Sequence, residues 1–149
     1  MLSEIRRYVL RLVDGLSGDD LRTVPPGEPN HILWHLGHLA VTQQLLTYGL
    51  AGLPVRAPEA LVAQCRKGTS PMGWTGGGPD PDEVKCLLLS LPEQFERDLA
   101  SGAFGGSFRE YPTSTGVTLR SLEEAARFNL FHEGLHARSI ARQRRLLGP

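Results

Sequence analysis

The residues best suited to chemistry in this chain are its five histidines, and they fall into two groups. His31, His35 and His38 lie in the segment NHILWHLGHL, while His132 and His136 bracket Glu133 in FHEGLH. The order H-E-x-x-H is that of zinc peptidases, in which two imidazoles one helical turn apart hold the metal and the glutamate activates water. Such a site takes its third ligand from further along the chain. After His136 only ARSIARQRRLLGP remains, with no His, Asp, Glu or Cys, so a peptidase is the weakest reading. A third donor has to come from upstream, and the first group of histidines supplies candidates.

At ~100° per residue, His31, His35 and His38 lie within about 60° of one another on a helix, and His132 and His136 lie roughly 40° apart. The second pair is flanked on its face by Ala125, Phe128, Leu135, Ile140 and Leu146, whereas Glu123, Arg127, Arg138, Arg142 and Arg145 fall mostly on the other side. Both groups therefore point inward. A buried imidazole without partners costs on the order of 1–3 kcal/mol, and one metal ion would satisfy several at once. A lone histidine reads as an ordinary hydrogen-bonded residue, but an i,i+4 pair facing a third imidazole reads as a metal site. His31, beside the start of its helix, either lines a pocket or faces solvent. Glu133, about 100° around from His132, falls towards the edge of the buried face, as a rim carboxylate paired with an arginine or as a group for proton transfer.

Four helices can position these side chains. Leu2, Ile5, Val9, Leu12, Val13 and Leu16 recur at helical steps and predict a first helix over 2–15 with one buried stripe. SGDDLRTVPPGEPN follows as a loop, with a short turn at Asp19 to Arg22. Asn30 is positioned to cap a long second helix that Gly49 and Gly52 end. From Pro54 to Pro81 the composition turns to Gly, Pro and Ser, which predicts a crossover connection holding one short helix near Glu59 to Arg66. Asp80 and Pro81 open a third helix over about 81 to 100, with a kink at Pro92. After an irregular link with brief extended pieces, Ser121 and Glu124 form a capping box that starts a fourth helix, stopped by Gly148 and Pro149. At ~1.5 Å per residue this last helix would span about 40 Å, the whole domain.

Composition narrows the function classes. The chain has 149 residues, which suits a single domain over 1–149, and 16 Lys and Arg balance 16 Asp and Glu. No basic field is present to draw nucleic acid or an anionic membrane, so the arginines of the tail, Arg138, Arg142, Arg144 and Arg145, read as a solvated helix face. No twenty-residue apolar run exists and the first helix is broken by charges, so a cytoplasmic location is expected. Cys65 and Cys86 lack cysteine neighbours and read as reduced, Cys86 as a packing residue. The Gly-rich links around Trp74 and Phe104 read as connectors.

The segments NHILWHLGHLAVTQQLL and HEGLHARSIARQRRLLG, with the pattern of helices, resemble the DinB-like proteins over about Leu16 to Gly148. That resemblance implies an all-α four-helix bundle with a long crossover between helices two and three. It also implies three metal-binding histidines, which carry over to His38, His132 and His136; His35, on the same face as His38, is the rival ligand. Where the family continues with x-G-Q after its last histidine, Arg138 and Ser139 stand here.

Three imidazoles leave a divalent ion with an open position, the arrangement of catalytic sites. Zinc is the default, with nickel, iron and manganese also compatible. Some relatives are thiol-dependent S-transferases or isomerases, so the resemblance implies a metal-dependent transferase or hydrolase, with a low-molecular-weight thiol as an optional cosubstrate and Glu133 as a candidate for proton transfer. The expected partner is a small-molecule substrate, with no nucleic acid or membrane and with a homodimer admitted. The alternative is a non-catalytic bundle in which the ion only ties two helices together.

Overall fold

The computed structural model describes residues 1–148; Pro149, named above as part of the last helix stop, lies outside the described residues. The chain is mainly helical: α1 spans Leu2–Leu12, α2 Gly18–Arg22, α3 Ile32–Gln44, α4 Glu59–Cys65, α5 Pro81–Ala100 and α6 Leu122–Leu146. A single antiparallel ladder pairs β1 (Tyr111–Pro112) with β2 (Thr118–Leu119), with Tyr111 opposite Leu119. The four long helices expected from the sequence are α1, α3, α5 and α6. Helices α3 and α1 each pack against both α5 and α6, which places α3 opposite α1 in the arrangement. No helix among the described residues is long and apolar enough to cross a membrane.

Helix α3 is the centre of the molecule. Every residue from Ile32 to Val41 is buried, as expected for a helix that is apolar all round. Its start differs from the expected Asn30 cap: His31 is the N-cap, its Nδ1 accepting from the Trp34 backbone N–H at 3.0 Å. At its other end the helix continues into a π-helical turn, Leu45–Gly49, which is wider by one residue per turn and presents Leu46 and Leu50 to a second small core with Leu119 and Ala125.

Gly37 explains how α4 comes so close. A Cβ at this position would lie 2.5 Å from Cys65 Sγ and 3.4 Å from Leu61 Cδ1, so only a residue without one lets α4 dock on α3. Alanine improves intrinsic helix propensity by ~1 kcal/mol but overpacks this contact by about 1–3 kcal/mol. We therefore expect Gly37→Ala to lower stability by about 1 kcal/mol despite its better propensity, as read by denaturant unfolding. An unchanged or raised midpoint would show that α4 yields freely.

The remaining caps follow the sequence with one difference. Asp80 accepts from the N–H groups of Asp82 and Glu83, with Pro81 in the first turn of α5, and that helix runs on through Pro92. Ser121 Oγ accepts from Glu124 N–H as expected, but the Glu124 carboxylate takes the Arg120 N–H, one residue before the position a capping box would use. The arginine tail is docked instead of wholly solvated. Arg144 donates to the carbonyls of Leu12 and Asp14 and Arg142 pairs with Glu28 at 2.9 Å, while Arg138 and Arg145 are exposed.

Three burial expectations are corrected. Cys86 is exposed, because α5 turns its Val84, Leu88, Leu91 and Phe95 inward and leaves position 86 on the outer side; Cys65 is the buried thiol, and both are free. On α1 the buried stripe is Ser3, Arg6, Val9 and Val13, rotated from the leucine-rich stripe read from hydrophobicity. On α6 the inward line is Ala125, Asn129, Glu133, Ala137 and Ile140, so Leu135 and Leu146 remain about half exposed. Small and polar residues occupy the closest approaches between helices, and the larger leucines are displaced to the flanks.

Candidate metal centre

Helices α3 and α6 bring His38, His132 and His136 together, as the sequence resemblance implied. One ring nitrogen from each lies within 4.8 Å of the others, a group that could hold a metal ion. His38 is buried and the other two are partly buried. The His38 Nε2 and His132 Nε2 atoms are 3.1 Å apart. Two imidazoles bound to one tetrahedral zinc at ~2.0–2.1 Å place their nitrogens about 3.3 Å apart, so this spacing fits a shared ion.

The orientation of His38 is set from two sides. Its Nδ1–H donates to the Cys65 carbonyl at 2.7 Å, which fixes the proton on Nδ1 and leaves the Nε2 lone pair facing His132. The Trp34 ring stacks on the His38 ring at 4.5 Å with 12° between planes, and Trp34 is itself held by a hydrogen bond from Nε1 to Thr69 Oγ1. Gly37 thus has a part in the site, since the α4 approach it permits is what delivers the Cys65 carbonyl.

His35, the rival ligand, stands behind the trio. Its Nδ1 is 2.8 Å from His136 Nδ1, one of the two carrying the shared proton, and its other nitrogen lies 3.1 Å from the Gln143 side-chain amide. His35 is therefore placed to orient the His136 ring. His31 neither lines the cavity nor faces solvent: it is buried as the α3 cap, its ring set edge-on to that of Trp74 with the centroids 4.9 Å apart.

Electrostatics keep the nitrogens free. Burial pushes His132 down to about 3 and His136 down to about 2, with repulsion from neighbouring imidazoles adding to both. Burial also lowers His38, against the opposing pull of its bond to the Cys65 carbonyl, and lowers His35 to about 4. All four rings are neutral at pH 7, as metal ligation by histidine requires. Three neutral nitrogen donors without a carboxylate suit a divalent ion that accepts imidazole better than they suit calcium or magnesium, which take oxygen ligands.

Glu133 is fully buried, so the edge or rim position expected from the helical wheel is corrected. Its carboxylate takes a hydrogen bond from Arg6 Nη2 at 2.7 Å, one bifurcated from Arg6 Nε at 3.2 and 3.3 Å, and one from Asn129 Nδ2 at 3.2 Å. The arginine pairing is realised in the core, between α1 and α6. By sequence alone, Arg6 is one of the charges that break the first helix. The available signal was Ser3, Arg6, Val9 and Val13 at helical steps opposite a carboxylate on another inward face.

The three imidazoles open onto a cavity of about 470 Å³. Its walls include Leu45, Leu46 and Leu50 from the end of α3, Phe128 and Leu135 from α6, and Arg109, Tyr111 and Thr113 from the hairpin segment. The link before α6 had offered only the prospect of brief extended pieces. Trp74 and Phe104 lie elsewhere: Trp74 packs on His31, and Phe104 on Tyr48 and Phe95.

Comparison with known proteins agrees with this geometry. The family model of the DinB superfamily matches residues 1–140. The chain belongs to the DinB superfamily. Among curated proteins, none matches it. For a DinB superfamily chain, the departure at Arg138 and Ser139 carries little weight for the metal centre. Arg138 is exposed, and Ser139 Oγ bonds back to the Leu135 carbonyl on its own helix.

Proposed function

We propose that this chain is a metal-dependent enzyme of transferase or hydrolase type, a single-domain four-helix bundle of the DinB kind acting on a small molecule in the cytoplasm. The observation that carries the reading is the placement of three neutral imidazoles, within ligand distance of one another, on the floor of a cavity large enough for a small substrate. His38, His132 and His136 would hold the ion, and the chemistry it would supply is Lewis acidity towards a water molecule or a thiol, the activation needed for attack on an electrophile.

The chain's own residues supply the rest. Cys65 and Trp34 hold the His38 ring, His35 backs His136, and the leucines and Phe128 give the substrate an apolar wall that limits water. In this reading Glu133 fixes α6 against α1, because its carboxylate is fully buried, is engaged by Arg6 and Asn129, and does not line the cavity. A tie that only joined α3 to α6 would have no use for a cavity at the ligand nitrogens, which favours chemistry over a structural ion.

The test is elemental analysis of protein prepared with zinc, nickel, iron or manganese, followed by conjugation and hydrolysis assays on reporter electrophiles with a panel of thiols. We expect one ion per chain and turnover that is absent from His132→Ala. One ion per chain with no turnover by any thiol or by water would leave the structural tie as the answer.

A further inference from the structure

The cavity has a charge bias that the whole chain lacks. Acidic and basic residues are equal in number overall, yet among the described residues the cavity lining holds Lys67 and Arg109 and no Asp or Glu. Neither cation pairs with a carboxylate among the described residues, so no acid neutralises them at the cavity.

Burial orders the cavity from floor to mouth. His38 is buried, His132 and His136 are partly buried, and Lys67 and Arg109 are exposed. The two cations come from separate links, Lys67 just after α4 and Arg109 just before β1. Arg109 is anchored at the rim by its backbone N–H, which donates to the Leu50 carbonyl at 2.8 Å. Between floor and rim the wall is apolar, with hydroxyls from Thr113, Ser114 and Thr115 on the hairpin side.

We propose that the cavity selects an amphiphilic carboxylate: an anionic group held at the mouth by Arg109 and Lys67, with an apolar body running inward along Leu46, Leu50 and Phe128 towards the imidazoles. This names the substrate class of the site just described and rests on the cavity being the substrate site. Arginine offers a fork of N–H donors matched to a carboxylate, and lysine adds a point charge. With no acid on the lining, an amine at the same place would meet two like charges, so the arrangement also rejects cationic ligands.

Binding can be separated from metal chemistry by titrating decanoate, decanol and decylamine into zinc-loaded and chelator-treated protein by calorimetry. Decanoate should bind at least about ten-fold more tightly than decanol in both forms, because the anchoring charges do not depend on the ion. Added salt should narrow that preference. Arg109→Gln with Lys67→Gln should abolish the preference, and Arg109→Glu with Lys67→Glu should transfer it to decylamine. Both replacements are at exposed positions, and unchanged thermal melting will show that the fold is kept.

A preference that survives in the Gln pair, or appears only in the zinc-loaded form, would overturn the proposal, since the carboxylate would then be reading the ion. Absence of binding by every probe would overturn it too. Metal stoichiometry measured on the same samples decides the metal reading separately.

Discussion

Glu133→Ala is expected to destabilise the protein by about 3–5 kcal/mol, the cost of leaving a guanidinium buried without its counter-charge. Arg6 and Glu133 have no solvent exposure, and Arg6 Nη2 is shared between the carboxylate and the Leu39 carbonyl, so the pair joins α1, α3 and α6 at one point. Arg6→Ala should cost a similar amount. The double variant Arg6→Met with Glu133→Leu is the informative one. Replacing a buried ion pair by apolar groups of similar volume is often neutral or stabilising. The network here is also incompletely closed: Arg6 Nη1 and Asn129 Oδ1 find no hydrogen-bond partner among the described residues. We expect the double variant to recover most of the lost stability in denaturant unfolding. If it binds metal and turns over like the parent, Glu133 is structural; if it folds and binds metal but loses turnover, the proton-transfer role is restored.

His136→Ala should weaken metal binding by more than about 100-fold, and His35→Leu by about 10–100-fold. The second range is that of residues that orient a ligand without touching the ion. Three donors hold the site, so deletion of one leaves two imidazoles and no carboxylate to replace it. His35 contributes through its 2.8 Å contact to His136 Nδ1 and is held in turn by Gln143. Competition against a chelator of known affinity measures both effects. Equal losses in the two variants would mean that His35 enters the coordination sphere itself. A His35→Leu variant indistinguishable from the parent would mean that packing alone orients His136.

Much of the scaffold was legible in the sequence because its signals are local. Asp80–Pro81 and Ser121 marked helix starts, the short helix in the crossover is α4, and the split of histidines between two inward faces located the centre. What hydrophobic periodicity misplaced was the rotation of α1 and α6. A wheel weighted by hydrophobicity centres on leucines, while the true contact lines run through Arg6, Asn129 and Glu133, polar groups that satisfy one another across a distance of 127 residues. The role of His31 was missed because a histidine cap looks like any other histidine near a helix start. The choice between His35 and His38 rested on resemblance, since both share one face. Only the Cys65 carbonyl and the Gln143 amide, from two other segments, separate their roles. The cavity mouth was hidden for a further reason: Lys67 and Arg109 belong to irregular links whose path no local pattern specifies.

The hairpin that carries Tyr111 and Thr113 is short: its ladder pairs Tyr111 with Leu119 and Pro112 with Thr118, and Thr113 N–H donates to the Val117 carbonyl at 2.8 Å. The imidazoles, by contrast, are mounted on α3 and α6, two helices packed directly against each other. On the proposed function, the stretch 107–119 is one cavity wall that can be rebuilt while the mounts of His38, His132 and His136 stay in place, a division of labour that would let one frame admit different small molecules.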